Sequence, residues 1–291
     1  MSFKKVLFVC LSLVIVGGAL TGYGDNSGGG GGSAKSEKPA PPLDKERIAA
    51  DEAKGIKFSE DKRTLVEYNR DLPDKEYIIP TGVTTIGDNA FVLCKNLTSV
   101  TIPSSVTTIG DNAFMWCSSL TSVTIPEGVT TIGEGAFVMC SKLTSVTIPS
   151  SVTTIGERAF ACCIRLTSVT IPSSVTTIGE RAFECCIRLT SVTLPEGVTT
   201  IGKSAFAHSG LTSVTIPSSV TTIGERAFDG CFGLKSVTIP ASVTTIGESA
   251  FWGCIDLTSV TIPPSVTTIG DGAFAGCPCE ASVKKQFPNY R

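Results

Sequence analysis

Proline recurs after an apolar residue at positions 80, 103, 126, 149, 172, 195, 217, 240 and 263, at intervals of 23 residues with a single interval of 22. A period of that length, held over nine copies, requires one supersecondary unit stacked on itself instead of a single globular core. One unit, residues 97–119, reads LTSVTIPSSVTTIGDNAFMWCSS. The letters that stay apolar in nearly every copy are those of Leu97, Val100, Ile102, Val106, Ile109, Ala113, Phe114 and Cys117, and they form the inward set. Val100 and Ile102 alternate with Ser99 and Thr101, a period of two that predicts a strand with its hydroxyls in solvent. The β-branched run at residues 106–109 predicts a second short strand, and Pro103, lacking an amide proton, ends the first. Gly110 is expected to supply a positive φ at the corner, and Asp111 to cap a short 3₁₀ or helical turn carrying Ala113 and Phe114. No repeat is long enough for an ordinary amphipathic helix.

The predicted fold class is therefore a β-rich solenoid, a right-handed coil of about nine 23-residue leucine-rich repeats with short 3₁₀ turns and few or no long helices. The coils occupy residues 78–277. Residues 44–77 are expected to form a helix and hairpin that cap the first coil, and residues 278–291, where CPCE breaks the pattern, a cap at the other end. Capping matters because an open ladder of backbone amides invites edge pairing.

Ahead of the repeats, Lys4 and Lys5 precede an apolar run at residues 6–20, and the glycines at 22 and 24 follow, the order of an export signal ending near residue 24. About 15 apolar residues fall short of the roughly 20 a membrane span needs, so no stable span is expected after cleavage. Leu20, Thr21 and Gly22 resemble a lipoprotein signal, but Tyr23 stands where the lipid-accepting cysteine belongs, and Cys10 lies inside the apolar run. The expected location is periplasmic, secreted or cell surface. Residues 25–43, with five consecutive glycines and then prolines, predict a tether. Formal charge is −2, and loss of two lysines and no acid with the signal makes it −4, which argues against a nucleic-acid partner.

The unit CxxLTSVTIPxSVTTIGxxAF, together with FSEDKRTLVEYN ahead of it, resembles the bacterial leucine-rich repeats of the BspA, or treponemal, type over about residues 56–285. The resemblance implies a surface or secreted protein that adheres to host matrix proteins or to other bacteria. The sixth coil departs from it: it reads AFAHSGL, one residue short, with His208 and Ser209 where cysteine is expected, which predicts a kink or local irregularity mid-stack.

Chemistry is sparse. The cysteine column at 94, 117, 140, 163, 186, 231, 254 and 277 follows the repeat, not a zinc spacing, and predicts a ladder of buried reduced thiols. Cys162 and Cys185, one position earlier, could face outward and bridge each other. His208 is the sole histidine, and spacing places no partner beside it, so neither a triad nor a histidine metal site is expected. No catalytic residue, cofactor or metal is predicted, and a glycan-acting enzyme would need titratable clusters that the Ser/Thr columns do not supply. Two surfaces remain for partner binding. The strand face carries Ser99, Thr101, Ser122 and Thr124 and their repeats. The turn after each phenylalanine carries Leu93, Met115, Trp116 and Met139, an apolar stripe if outward, a thickening of the core if inward. The readings left open are a non-enzymatic scaffold binding a host matrix or other surface protein, and a structural protein of the cell envelope that self-associates into a homo-oligomer.

Overall fold

The computed structural model describes residues 41–291; the export signal, Cys10, Tyr23 and most of the tether lie outside the described residues. Among the described residues no helix is long and apolar enough to cross a membrane. Helix α1 (Lys45–Glu52) opens the chain, with the Asp44 side chain accepting from the Arg47 amide at 3.0 Å, an N-cap that satisfies one of the helix's free donors. Strands β1 (Lys57–Phe58) and β2 (Thr64–Glu67) follow as an antiparallel hairpin. Nine coils come next, each contributing two short parallel strands and one turn.

The first strand of each coil carries the SVT motif: β5 (Ser99–Thr101), β7 (Ser122–Thr124), β9 (Ser145–Thr147), β11 (Ser168–Thr170), β13 (Ser191–Thr193), β15 (Ser213–Thr215), β17 (Ser236–Thr238) and β19 (Ser259–Thr261), preceded by β3 (Glu76–Ile78) in the same role. The second strands, from β4 (Thr85–Ile86) through β14 (Thr200–Ile201) and β16 (Thr222–Ile223) to β20 (Thr268–Ile269), join the hairpin in one unbroken sheet of eleven. The SVT strands form a sheet of seven that stops at β15 and a separate pair, β17 and β19. The interruption follows the short sixth coil, where the sequence predicts an irregularity.

The inward set is buried as its periodicity requires. Phenylalanines 91, 114, 137, 160, 183, 206, 228, 251 and 274 are fully buried and stack face to face, with neighbouring centroids 4.8–5.6 Å apart and planes within 2–11° of parallel. Such a column repeats only as fast as the coils do, so it reports their spacing. Both ends change geometry. Tyr77 and Tyr68 cover Phe91, and the Tyr77 hydroxyl donates to the buried Asp51 carboxylate of α1 at 2.7 Å. At the far end Tyr290 meets Phe274 edge-on, and its hydroxyl oxygen accepts from the Phe274 amide at 2.7 Å, after helix α2 (Glu280–Gln286) has closed the last coil.

Three sequence expectations need correction. The recurring glycine does not adopt a positive φ; Gly156 stands for the column, because a Cβ there would lie 2.8 Å from the Ile132 carbonyl oxygen and the Gly133 carbonyl carbon of the coil before. Close approach of two backbones, not a left-handed corner, excludes side chains. The left-handed residues lie elsewhere, at Asn89, Asn112, Gly135, Arg158, Arg181 and their equivalents, and again just before each cysteine position. These two left-handed positions break the segment between them into single turns, so no continuous 3₁₀ helix forms. Finally, the acid column does not cap its own turn. Asp88 Oδ1 accepts from the Asp111 amide at 2.9 Å, and Asp111 Oδ1 from the Glu134 amide at 2.8 Å, so these carboxylates clip one coil to the next.

Candidate functional surfaces

Backbone bonding in the turn explains which side chains can leave it. Alternate amides serve different partners: those of Asn112, Phe114 and Trp116 donate forward to the carbonyls of Glu134, Ala136 and Val138 at 2.7–2.9 Å, while those of Met115 and Cys117 close turns within their own coil. The turn is thus a third ladder, fixed to its neighbours on both sides. The cysteine thiols add to it. Cys117 donates to the Phe91 carbonyl at 3.1 Å, and Cys140, Cys163, Cys186, Cys231, Cys254 and Cys277 repeat the bond one coil further on. In the short coil Ser209 takes the slot and shares a hydrogen bond with Cys231 at 3.3 Å. Burial pushes the Cys231 thiol up to about 12, and it holds Cys162 near 12 as well. Cys162 is a free, buried thiol, so the bridge to Cys185 does not form, and neither side chain faces outward; both tuck inward because the left-handed backbone at Cys162 and Cys185 turns them under the flank.

The apolar stripe divides. Val138, Met139, Ala161, Cys162 and Cys185 make a second buried cluster beneath the turn surface, and Met139 is only 7% exposed. Met115 and Trp116 pack half-buried against that cluster, and Leu93 is half-buried beside a shallow hollow of about 380 Å³ lined with Arg70, Asp71, Lys95 and Asn96. Met139 therefore thickens the core, while Leu93, Met115 and Trp116 keep part of their surface in water. On the strand face Thr101, Ser122 and Thr124 are exposed and Ser99 is half-buried.

Large apolar side chains stand in the open in the eighth coil. Trp252 is 50% exposed and Ile255 is 59% exposed. Trp252 shares the position of Val92, Met115 and Val138, but the residues beside it at the left-handed position are Gly230, Gly253 and Gly276, which carry nothing to cover an indole. Ile255 carries no mark in the repeat pattern; the signal for the exposed pair was the run of glycines at 230, 253 and 276.

His208 does have a neighbour. Its amide donates to the Asp229 carbonyl of the next coil at 2.6 Å, and the Asp229 carboxyl, buried and with Oδ1 unbonded, is raised in pKa by burial while His208 and Arg226 pull the other way. The pairing is the ordinary bond of the turn ladder, made equally from Trp116 to Val138 and from Cys185 to Ala207, and periodicity alone does not show which positions of neighbouring coils meet. Ser209, which follows His208, is buried against Cys231 and offers no nucleophile to this pair. Among the described residues no group of three metal-ligating side chains converges.

Short parallel strands in two sheets, a buried phenylalanine column and nine stacked turns define a leucine-rich repeat scaffold. The BspA type Leucine rich repeat region matches residues 70–188 and 154–280 in six copies, more than half the chain, and the protein belongs to that family. A leucine-rich repeat protein from Bacteroides ovatus is similar, with 28% identity over 76% of this chain and 71% of its own, at a TM-score of 0.52. The Treponema pallidum leucine-rich repeat protein is 24% identical over 81% of this chain and 94% of its own, with a TM-score of 0.49. No curated protein matches the sequence.

Proposed function

We propose that this protein is an exported, non-enzymatic scaffold that binds a protein partner through its turn flank. The exposed pair Trp252 and Ile255 carries the reading: neither is needed to fill the core, and aromatic and branched side chains left half in water on a rigid, glycine-flanked turn are the anchors that protein interfaces bury. Leu93, Met115 and Trp116 extend the same flank with a shallower relief, while Met139 supports them from below. A host matrix protein or another surface protein is the partner this family resemblance favours.

The test is a binding panel of purified matrix and serum proteins against the full chain, with sedimentation run in parallel. At least one protein should bind a monomeric chain, and Trp252→Ala with Ile255→Ser should weaken that binding roughly thirtyfold, the loss typical of an interface hot spot. A chain that sediments as an oligomer, and becomes monomeric in the double variant, would instead assign the flank to self-association in the cell envelope. A monomer that binds nothing on the panel would overturn both readings.

A further inference from the structure

The strand face holds a charge pattern that the protein's net charge conceals. From residue 97 to residue 261 the serine and threonine of each SVT strand and the residue just before the serine include no carboxylate, and their single charged member is Lys235. Most acids lie in the column from Asp88 to Asp271; Glu127 and Glu196 follow the prolines, Glu184 and Asp229 lie in the turn, and Asp256, three coils beyond Arg188, takes the slot the cations fill here. Beside the strand face, three residues ahead of each SVT serine, Lys142, Arg165 and Arg188 occupy successive coils. All three are exposed, and among the described residues none takes part in an ion pair or a side-chain hydrogen bond. Their coils are in register, as the pairing of Ser168 with Ser145 and of Thr170 with Thr193 requires, so the three cations form a row at the strand spacing of roughly 4.8 Å.

The row ends where the repeat fails. In the short sixth coil, Gly210 lies against the Ile187 carbonyl and donates its amide to Cys186 at 3.2 Å, which places it in the slot of Ile187 and leaves no counterpart to Arg188. Alongside the row run hydroxyls without partners among the described residues, Ser145, Ser168 and Ser191, then Thr147, Thr170 and Thr193, all exposed. Like charges brought this close repel unless a counter-charge covers them, and among the described residues no carboxylate pairs with any of the three.

We infer that this face binds an acidic polysaccharide, with Lys142, Arg165 and Arg188 taking successive sulfate or carboxylate groups and the serine and threonine columns taking the sugar hydroxyls. A repeating receptor suits a repeating ligand, since each added unit engages the next coil without a new encounter. The face has no aromatic ring from residue 97 to residue 261 on which a base could stack, and its uncharged hydroxyl rows suit sugars better than an acidic peptide. The surface is separate from the Trp252 flank, so each stands or falls alone.

The full chain should be tested by affinity chromatography and calorimetry on heparin as the sulfated probe and hyaluronan as the carboxylated one. Neutral dextran, single-stranded DNA and polyglutamate serve as comparisons. Retention on one or both acidic glycans, lost as salt rises, is expected, with little on dextran and less on DNA or polyglutamate of matched charge density. The variant Lys142→Ser with Arg165→Ser and Arg188→Ser should bind about tenfold more weakly. It should fold unchanged, since Ser119 already fills that slot in the second coil. A control removing three distant cations, Lys45→Ser, Lys57→Ser and Lys284→Ser, should retain binding. Equal loss in the control, equal retention of the triple ladder variant, tighter binding to DNA or polyglutamate, or no retention on either acidic glycan would each overturn the proposal.

Discussion

The two sheets of the stack are built from the same coils, yet one runs unbroken from the hairpin to β20 and the other parts between β15 and β17. The difference lies in what holds neighbouring coils together on each side. On the SVT side a threonine hydroxyl bonds back to the preceding coil at Thr98, Thr121, Thr144, Thr167, Thr212 and Thr258. Every pair of strands so joined aligns over three residues. At Thr190 the bond is not made, and β11 and β13 align at one residue pair. At Lys235 there is no hydroxyl to make it; the Lys235 amide reaches the Thr212 carbonyl only at 3.5 Å, and the pairing is gone. On the other side the equivalent threonines at 84, 107, 221, 244 and 267 make the bond and those at 130, 153, 176 and 199 do not, yet the strands stay paired in both cases. There the glycine column lets backbones meet directly, which leaves no slack for register to slip.

Alkaline pH should act most strongly, and on the side where the thiols clip coils together. Burial raises Cys162 and Cys231 from an ordinary 9.0 to about 12, and a thiol bond from Cys254 does so first for Cys277. Because the folded values are the higher ones, these groups' stabilisation is complete below pH 9 and is lost as pH climbs toward 12. At pH 10.5 the loss is about 2 kcal/mol for each such thiol, and thermal melts at pH 7 and 10.5 should separate widely. Next in size is Gly202→Ala. Its methyl would meet the Ile178 carbonyl oxygen at 2.5 Å and the Gly179 carbonyl at 2.9 Å, all unyielding backbone. A cost of about 3 kcal/mol in urea unfolding is expected, with the even-numbered strands the first to lose protection. Thr144→Val removes one hydroxyl clip and keeps the shape, and should cost about 1 kcal/mol while loosening β7 from β9 alone. Smallest is Lys235→Thr, which restores the missing clip and should gain about 0.5 kcal/mol, with slower amide exchange in β17.

Much of this architecture is legible in the repeat. Phe114, Val100 and Ile109 are inward in every copy, and periodicity alone says so, because only buried positions tolerate no polar letter over nine coils. What periodicity does not carry is the relation between one coil and the next. Gly110 looks like a turn residue until the previous coil's backbone is seen against it. Asn112 and Gly135, sharing a left-handed position, were the visible sign of where positive φ falls, but Arg158 and Arg181 at the same position masked it. The stripe of Met115, Trp116 and Met139 could be read either way, since whether it faces water depends on the left-handed backbone at Trp116 and Met139 that folds them under. Trp252 escapes that cover because its neighbours are glycines. Asp229 meets His208 through the same turn-ladder bond that joins Trp116 to Val138, a relation between coils that no spacing within one coil reveals.

Amide exchange followed residue by residue tests the comparison most directly. Amides of Ser236–Thr238 in β17 are expected to exchange much faster than those of Ser145–Thr147 in β9, while those of Thr245–Ile246 and Thr154–Ile155 in the other sheet exchange alike. Equal protection of β17 and β9 would contradict the account, since it would mean that the hydroxyl clip does not govern where the stack comes apart.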